Sequence, residues 1–171
     1  MQMVKKTLLT TLVALVAILM FAPKVNLYFL LEQELQKNGI VLSNEKVESK
    51  LFGLDISNAK VYVENTHIGD VKDISILTLL LYNSIDIFEF TPVKSIQKMF
   101  PLSIKEAHIN YAVWNPLEVK ISADSSVGKI EGRVDLQNRK VMLRFLDKNR
   151  IGPIRNYLRR DKSGWYYEQS F

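Results

Sequence analysis

The stretch Leu54-Asp-Ile-Ser-Asn-Ala-Lys-Val-Tyr-Val63, followed by His67-Ile-Gly-Asp-Val-Lys-Asp-Ile-Ser-Ile76, alternates apolar and polar residues on a period of two. Successive side chains of a strand point to opposite faces, so this spacing is that of strands with one buried face. The same period starts at Ile40 and recurs in Val47–Phe52, Leu79–Phe90, Ile104–Val113, Leu117–Ala123, Val127–Leu136 and Lys140–Leu146. Turn material separates the runs: Glu64-Asn65-Thr66, Tyr82-Asn83, Asn115-Pro116, Ser125-Ser126 and Gln137-Asn138. Strands spaced about ten residues apart predict a mainly β fold, an antiparallel curved sheet of meander or taco-like form. Two short helices interrupt it, over Pro92–Phe100 and Gly152–Arg160. There is no parallel βαβ alternation, which argues against a Rossmann-type fold.

Upstream of residue 40 the period is helical. Pro23 suits a first helical position, Lys24–Lys37 reads as a helix, and Asn38-Gly39 closes it as a C-cap pair. Its first turns are apolar nearly all round and so sit at the membrane interface or pack on the sheet, and Tyr28 and Phe29 would suit a headgroup-level aromatic belt. Before it, Leu8–Ala22 carries no charge, with Lys5 and Lys6 on one flank and Lys24 on the other. With Val4–Thr7 it makes about 19 residues, or about 28 Å of helix, enough to cross a bilayer. A cleaved secretory signal is the first alternative, but the exit Leu19-Met20-Phe21-Ala22-Pro23 is bulky where a signal peptidase needs small residues. A buried core helix is the second, and a terminal helix apolar on all sides is rarely that. The expected organisation is a cytoplasmic start and transmembrane anchor over 1–23, a linker helix over 24–39 and a β-rich domain over 40–171. Lys5 and Lys6 keep the N-terminus cytoplasmic and send the domain out, to the periplasm of a two-membrane cell.

Composition narrows the chemistry. The chain has no cysteine, which excludes disulfides, thiolate metal sites and cysteine nucleophiles. Residues 24–128 hold ten Lys/Arg against thirteen Asp/Glu, whereas residues 129–171 hold eleven against five. An exported basic third meets anionic headgroups or an acidic protein patch rather than nucleic acid, unless it is simply a solvated face. His67 and His108 lie in separate strands without a ligand motif, and read as sheet residues. Gly128-Lys-Ile-Glu-Gly132 lacks the Gly-Lys-Ser/Thr ending of a phosphate loop. Asp70 with Asp73, and Asp86 with Glu89, stand three apart, which in a regular strand sends the two carboxylates to opposite faces. The expectation is a protein without catalytic centre, cofactor or metal.

Two surfaces remain as candidate sites. Ile74, Ile76, Leu79, Leu81, Ile85, Ile87 and Phe88 belong to a run too apolar for a half-buried strand. Either protein covers both its faces, or one face lines a groove that takes lipid acyl chains or a partner's strand. The tail mixes Arg155, Arg159 and Arg160 with Trp165 and Tyr167, a combination that contacts headgroups or a partner. The same residues also fit a last edge strand, with Trp165 and Tyr167 facing the core.

The order of parts resembles the AsmA-like and type II secretion system protein N (GspN) group. The residues that carry the likeness are the anchor with Pro23–Lys37, then Lys50-Leu-Phe-Gly-Leu-Asp-Ile-Ser-Asn-Ala-Lys-Val-Tyr-Val63 leading to His67-Ile-Gly-Asp-Val71. Val127-Gly-Lys-Ile-Glu-Gly-Arg-Val-Asp-Leu136 followed by Val141-Met-Leu-Arg-Phe145, and the closing Gly164-Trp-Tyr, add to it. The resemblance implies an inner-membrane protein with a curved periplasmic sheet, tied to secretion machinery or to lipid traffic between membranes. It implies membrane lipids and secretion or envelope proteins as partners, and no catalytic residues. The order of parts is also similar to that of the LptC-type protein of lipopolysaccharide export, which has one anchor and a periplasmic β jelly roll. A pure scaffold of a secretion complex is the competing function.

Overall fold

The computed structural model describes Thr10, Thr11, Ala14 and residues 24–171, the side chains of Lys24, Val25 and Leu27 excepted. The expected anchor therefore lies almost wholly outside the described residues. Thr10, Thr11 and Ala14 are helical, and among the described residues no helix is long and apolar enough to cross a membrane.

Helix α1 (Lys24–Lys37) leads into a single open, curved, antiparallel sheet of eleven strands. These are β1 (Ile40–Ser43), β2 (Lys46–Lys50), β3 (Gly53–Val63), β4 (Thr66–Thr78), β5 (Tyr82–Pro92) and β6 (Ile104–Ala112), then β7 (Glu118–Ser125), β8 (Gly128–Asp135), β9 (Lys140–Phe145), β10 (Arg159–Asp161) and β11 (Gly164–Ser170). Strands β3 to β9 form a meander. At one edge β1 and β2 share β3; at the other, β11 inserts between β9 and β10. The expected helix over Pro92–Phe100 shrinks to α2 (Lys94–Met99), and Met99 points into solvent. That over Gly152–Arg160 is a 3-10 helix, Gly152–Tyr157, after which Leu158 turns extended and Arg159 enters β10.

Leu79–Leu81, expected to start a strand, form the turn before β5, where the Leu79 N–H donates to the Tyr82 carbonyl at 3.0 Å. The two-residue turn at Glu64 and Asn65 has φ of 48° and 64°, which suits the right-handed twist of a hairpin.

Register sorts the sheet into one apolar and one polar face. A row crosses it through the pairs Ile56↔Ile74, Ile74↔Ile87, Ile87↔Ala107, Ala107↔Ala123, Ala123↔Ile130, Ile130↔Phe145 and Phe145↔Trp165. Two clusters build the core on this face. The first holds Leu54, Ile56, Ala59, Val71 and Ile74 under Tyr28 of α1. The second holds Val127, Ile130, Phe145, Ile151 and Ile154, the last two brought in by the 3-10 segment.

A transverse crease cuts four of these strands. In Ile56-Ser-Asn-Ala59, Val71-Lys-Asp-Ile74, Ile87-Phe-Glu-Phe90 and Ile104-Lys-Glu-Ala107, two residues separate the apolar pair where regular alternation allows one. Asn58 and Glu89 adopt φ of 59° and 54°, the ladder skips Asn58, Lys72, Glu89 and Lys105, and Lys72 is paired with Glu89 at 2.7 Å. The skipped residue resets the parity, so Ile56 and Ala59 both reach the first cluster, as do Val71 and Ile74.

Tyr28 is a core residue rather than a headgroup aromatic: it is 2% exposed and its hydroxyl donates to Glu45 at 2.9 Å. Burial, reinforced by the Glu45 carboxylate, pushes the phenol well above its ordinary pKa. Helix α1 is thus part of the domain and not a free stalk. Tyr28→Ala should cost about 3 kcal/mol in urea unfolding of residues 24–171, the range for deleting a buried ring. Asn58→Val should cost about 1–2 kcal/mol, because a β-branched residue resists the left-handed backbone, whereas Asn58→Gly should be near neutral.

Candidate functional site

On the apolar face, a second row lies two residues along from the core row. It runs Ile76↔Ile85, Ile85↔Ile109, Ile109↔Ile121, Ile121↔Gly132, Gly132↔Leu143 and Leu143↔Tyr167. Beyond it comes a third, through Tyr111↔Val119, Val119↔Val134 and Val134↔Val141. Ile109, Ile121, Tyr111, Val119, Val134 and Val141 are half-buried and belong to neither core cluster. Among the described residues, helix α1 packs near β1–β3 and the 3-10 helix packs over the β8–β9–β11 side, and neither covers the middle strands. Gly132 forms the floor there, since an added Cβ would stand 2.5 Å from Leu143 Cδ2 and 2.9 Å from the Met142 carbonyl.

The expected groove residues divide accordingly. Ile74 is core, and Ile76, Ile85 and Ile87 flank the first cluster on the apolar face. Phe88 pairs with Asp73 and Glu106 and belongs to the other face. Leu79 and Leu81 sit in the β4–β5 turn, Leu81 about half exposed. The uncovered part of the face lies further along the chain, on β6–β9. Its signal is present in sequence, as the aligned alternation of Ile109, Ile121, Val134 and Val141, but only strand register shows that these residues are neighbours.

The tail cluster is assembled as a stack. The Arg155 and Arg160 guanidiniums lie 4.8 and 5.7 Å from the Trp165 ring centre, and Trp165 and Tyr167 pack against the second core cluster. Arg159 is exposed opposite Tyr166, on the polar face. Strand β10 pairs residues 164–166 of β11, and residues 167–170 keep an open edge beyond it.

The polar face carries a charged row: Asp86↔His108, His108↔Ser122, Ser122↔Glu131 and Glu131↔Arg144. His108 Nδ1 is 2.7 Å from Asp86, and Nε2 is 3.1 Å from Glu106. Both ring nitrogens therefore face carboxylates, and both donate when the imidazole is protonated. The crease also corrects the expectation for the paired acids. Asp70/Asp73 and Asp86/Glu89 straddle it, so each pair returns to one face. Three of the four are otherwise engaged, Asp70 with His67, Glu89 with Lys72 and Asp86 with His108. Among the described residues no group of three or more His, Asp or Glu side chains is arranged to hold a metal ion. A shallow depression of about 570 Å³ on this face is lined by charges of both signs, Glu118, Lys120, Glu131, Arg133 and Arg144.

No family model, no curated protein and no solved structure matches this chain.

The hydrogen bond from Asp86, with the Glu106 charge, holds the His108 pKa above its usual value. A raised folded pKa means that the stabilisation is complete below about pH 6.5 and fades as pH rises through the folded value. His108→Gln should lower the melting temperature of residues 24–171 by about 1–3 °C under acidic conditions, the range for a partly exposed pair. The difference should vanish in alkaline buffer.

Proposed function

We propose that this is a non-enzymatic, single-pass inner-membrane protein whose periplasmic β domain binds lipid acyl chains on its apolar sheet face. In this reading it is an envelope component of the type II secretion N-like or AsmA-like kind. The supporting observation is the pair of apolar rows through Ile109, Ile121 and Leu143, which cross the sheet half-exposed between two covered clusters. Six half-buried aliphatic or aromatic side chains line these rows, and each Å² of their apolar surface that an acyl chain covers contributes roughly 25 cal/mol. The anchor reading rests on Leu8–Ala22 and its basic flank. The bracketed His108 and mixed charges of the other face read as strand-pairing electrostatics.

A scaffold is the second reading, favoured by the open edges: β1 and β2 at one side and the three-residue β10 at the other leave backbone groups free to pair with another strand.

Residues 24–171, which retain Tyr28 in the core, should be purified without detergent and extracted for mass spectrometry. Co-purifying lipid is expected. Ile109→Glu and Ile121→Glu should each remove most of it while the unfolding transition stays cooperative, since both sites are half-exposed already. A lipid-free wild type would overturn the acyl-binding reading and leave the scaffold.

A further inference from the structure

In a meander, alternate turns lie at the same end of the sheet. Here the β2–β3, β4–β5, β6–β7 and β8–β9 turns and the end of β11 share one end, and backbone hydrogen bonds hold them side by side. The Thr78 N–H donates to the Phe52 carbonyl at 2.7 Å and the Val113 N–H to Leu81 at 3.0 Å. The Leu136 N–H donates to Leu117 at 2.9 Å and the Phe171 N–H to Arg139 at 3.0 Å. This rim is apolar and exposed. Leu51, Leu80, Leu81, Trp114, Leu117 and Phe171 are all at least half exposed, and Trp114 is the most exposed at 73%. The other end is built from Glu64-Asn65-Thr66, Ser125-Ser126 and Asp161-Lys162-Ser163, and its exposed large apolar residues are Met99, Leu146 and Tyr157. The Tyr157 ring moreover packs edge-on against Phe100.

Helix α1 has a direction relative to these ends. Its C-terminus is tied to the polar end, where the Glu64 N–H donates to the Gly39 carbonyl at 2.8 Å. Tyr28, earlier in the helix, packs on Leu54 and Ile56 and bonds Glu45, so α1 starts toward the apolar rim. The 14 residues of α1 span about 20 Å. The 11 residues of β3 span about 33 Å. The rim thus projects on the order of 10 Å past the level of Lys24, a distance that matches the headgroup and upper acyl zone. Leu8–Ala22 immediately precedes that point.

We infer that the rim is a membrane-contacting edge: the domain stands on the bilayer that holds its own N-terminal anchor, with the turns around Trp114 seated in the headgroup and upper acyl region. Trp is the side chain that favours this depth. Arg139, 5.9 Å from the Phe171 ring centre, can keep its charge in the headgroup layer while that ring enters. The Arg155–Trp165–Arg160 stack lies at the opposite end and takes no part. This inference rests on the anchored reading and is independent of acyl binding on the sheet face.

The chain has two tryptophans, at opposite ends, which makes each a control for the other. The full chain, reconstituted in bilayers of phosphatidylcholine and phosphatidylglycerol, is compared with bilayers whose phosphatidylcholine carries acyl-chain bromine. With Trp165→Phe, the remaining Trp114 emission should be blue-shifted and quenched about two-fold, as expected at an interfacial depth. With Trp114→Phe, the remaining Trp165 should be unquenched. Adding Leu80→Asp and Leu81→Asp, at exposed turn positions that carry no core packing, should relieve the quenching of Trp114. An unquenched Trp114 in a chain that resists carbonate extraction overturns the rim contact alone. A blue shift without quenching, with dimers seen on crosslinking, overturns it in favour of a second copy of the chain. Loss of the chain to the carbonate wash overturns the anchor and the rim together.

Discussion

One constraint governs the described residues: among them, an open sheet with one apolar face has too little helix to cover it. Ten strand positions, one of them shared by β1 and β2, at about 4.8 Å spacing make a face about 43 Å wide. Against that stand α1 and a six-residue 3-10 helix, one toward each edge. A sandwich would solve the problem with a second sheet, and a barrel would solve it by closure. This chain does neither, so its core divides in two and the central strands keep aliphatic side chains half in water.

The crease follows from the same shortage. To serve the cluster beneath α1, β3, β4 and β5 must present apolar side chains on both sides of a point where the backbone loses a pairing step. Regular alternation over that distance would turn Ala59, Val71 and Phe90 outward. Placing Asn58 and Glu89 at positive φ restores them to the core, and the cost of a left-handed backbone is smallest for residues such as Asn. The Lys72–Glu89 pair then occupies the polar side of the fold line. An exposed pair contributes little energy by itself, so it is the reset of parity that matters, not the charge contact.

Much of this is legible in the sequence. Alternation places β3, β4 and β6–β9 to within a few residues, and Asn38-Gly39 ends α1 as a left-handed cap, with Gly39 at φ 74°. What fails does so for identifiable reasons. Leu79–Leu81 read as strand because they are apolar, although apolar residues also serve in turns when an end is to be presented rather than hidden. Tyr28 reads as interfacial because α1 is greasy on several sides, and only tertiary contact with Leu54 and Ile56 picks its inward face. The crease has a signature, four apolar pairs spaced by three, but each reads alone as a polar interruption. Phe88 stands next to Ile87, so alternation alone puts it on the opposite face. Hydrophobicity peaks at Ile74–Phe90 and points to an uncovered face there, yet a peak in apolar content attracts cover. Exposure falls where the pattern is merely regular and no segment is left to pack on it.

The distribution of cover also bears on the proposed acyl binding. From the rim inward, apolar surface continues through Tyr111, Val119, Val134 and Val141 to Ile109 and Ile121, without a charged row between. At the far end the path closes, because Phe100, Leu102, Ile151 and Ile154 pack over β8 and β9. An acyl chain that entered from the rim would meet a dead end after roughly 20 Å, about the reach of six residues of strand. A conduit between membranes needs two open ends. A surface open at one end and plugged at the other suits holding a chain, or docking an apolar segment of a neighbour, while the head remains near the bilayer. In the proposed reading the domain is a short platform beside its own membrane, and transfer over a longer distance would require another protein to continue the apolar face across the plug.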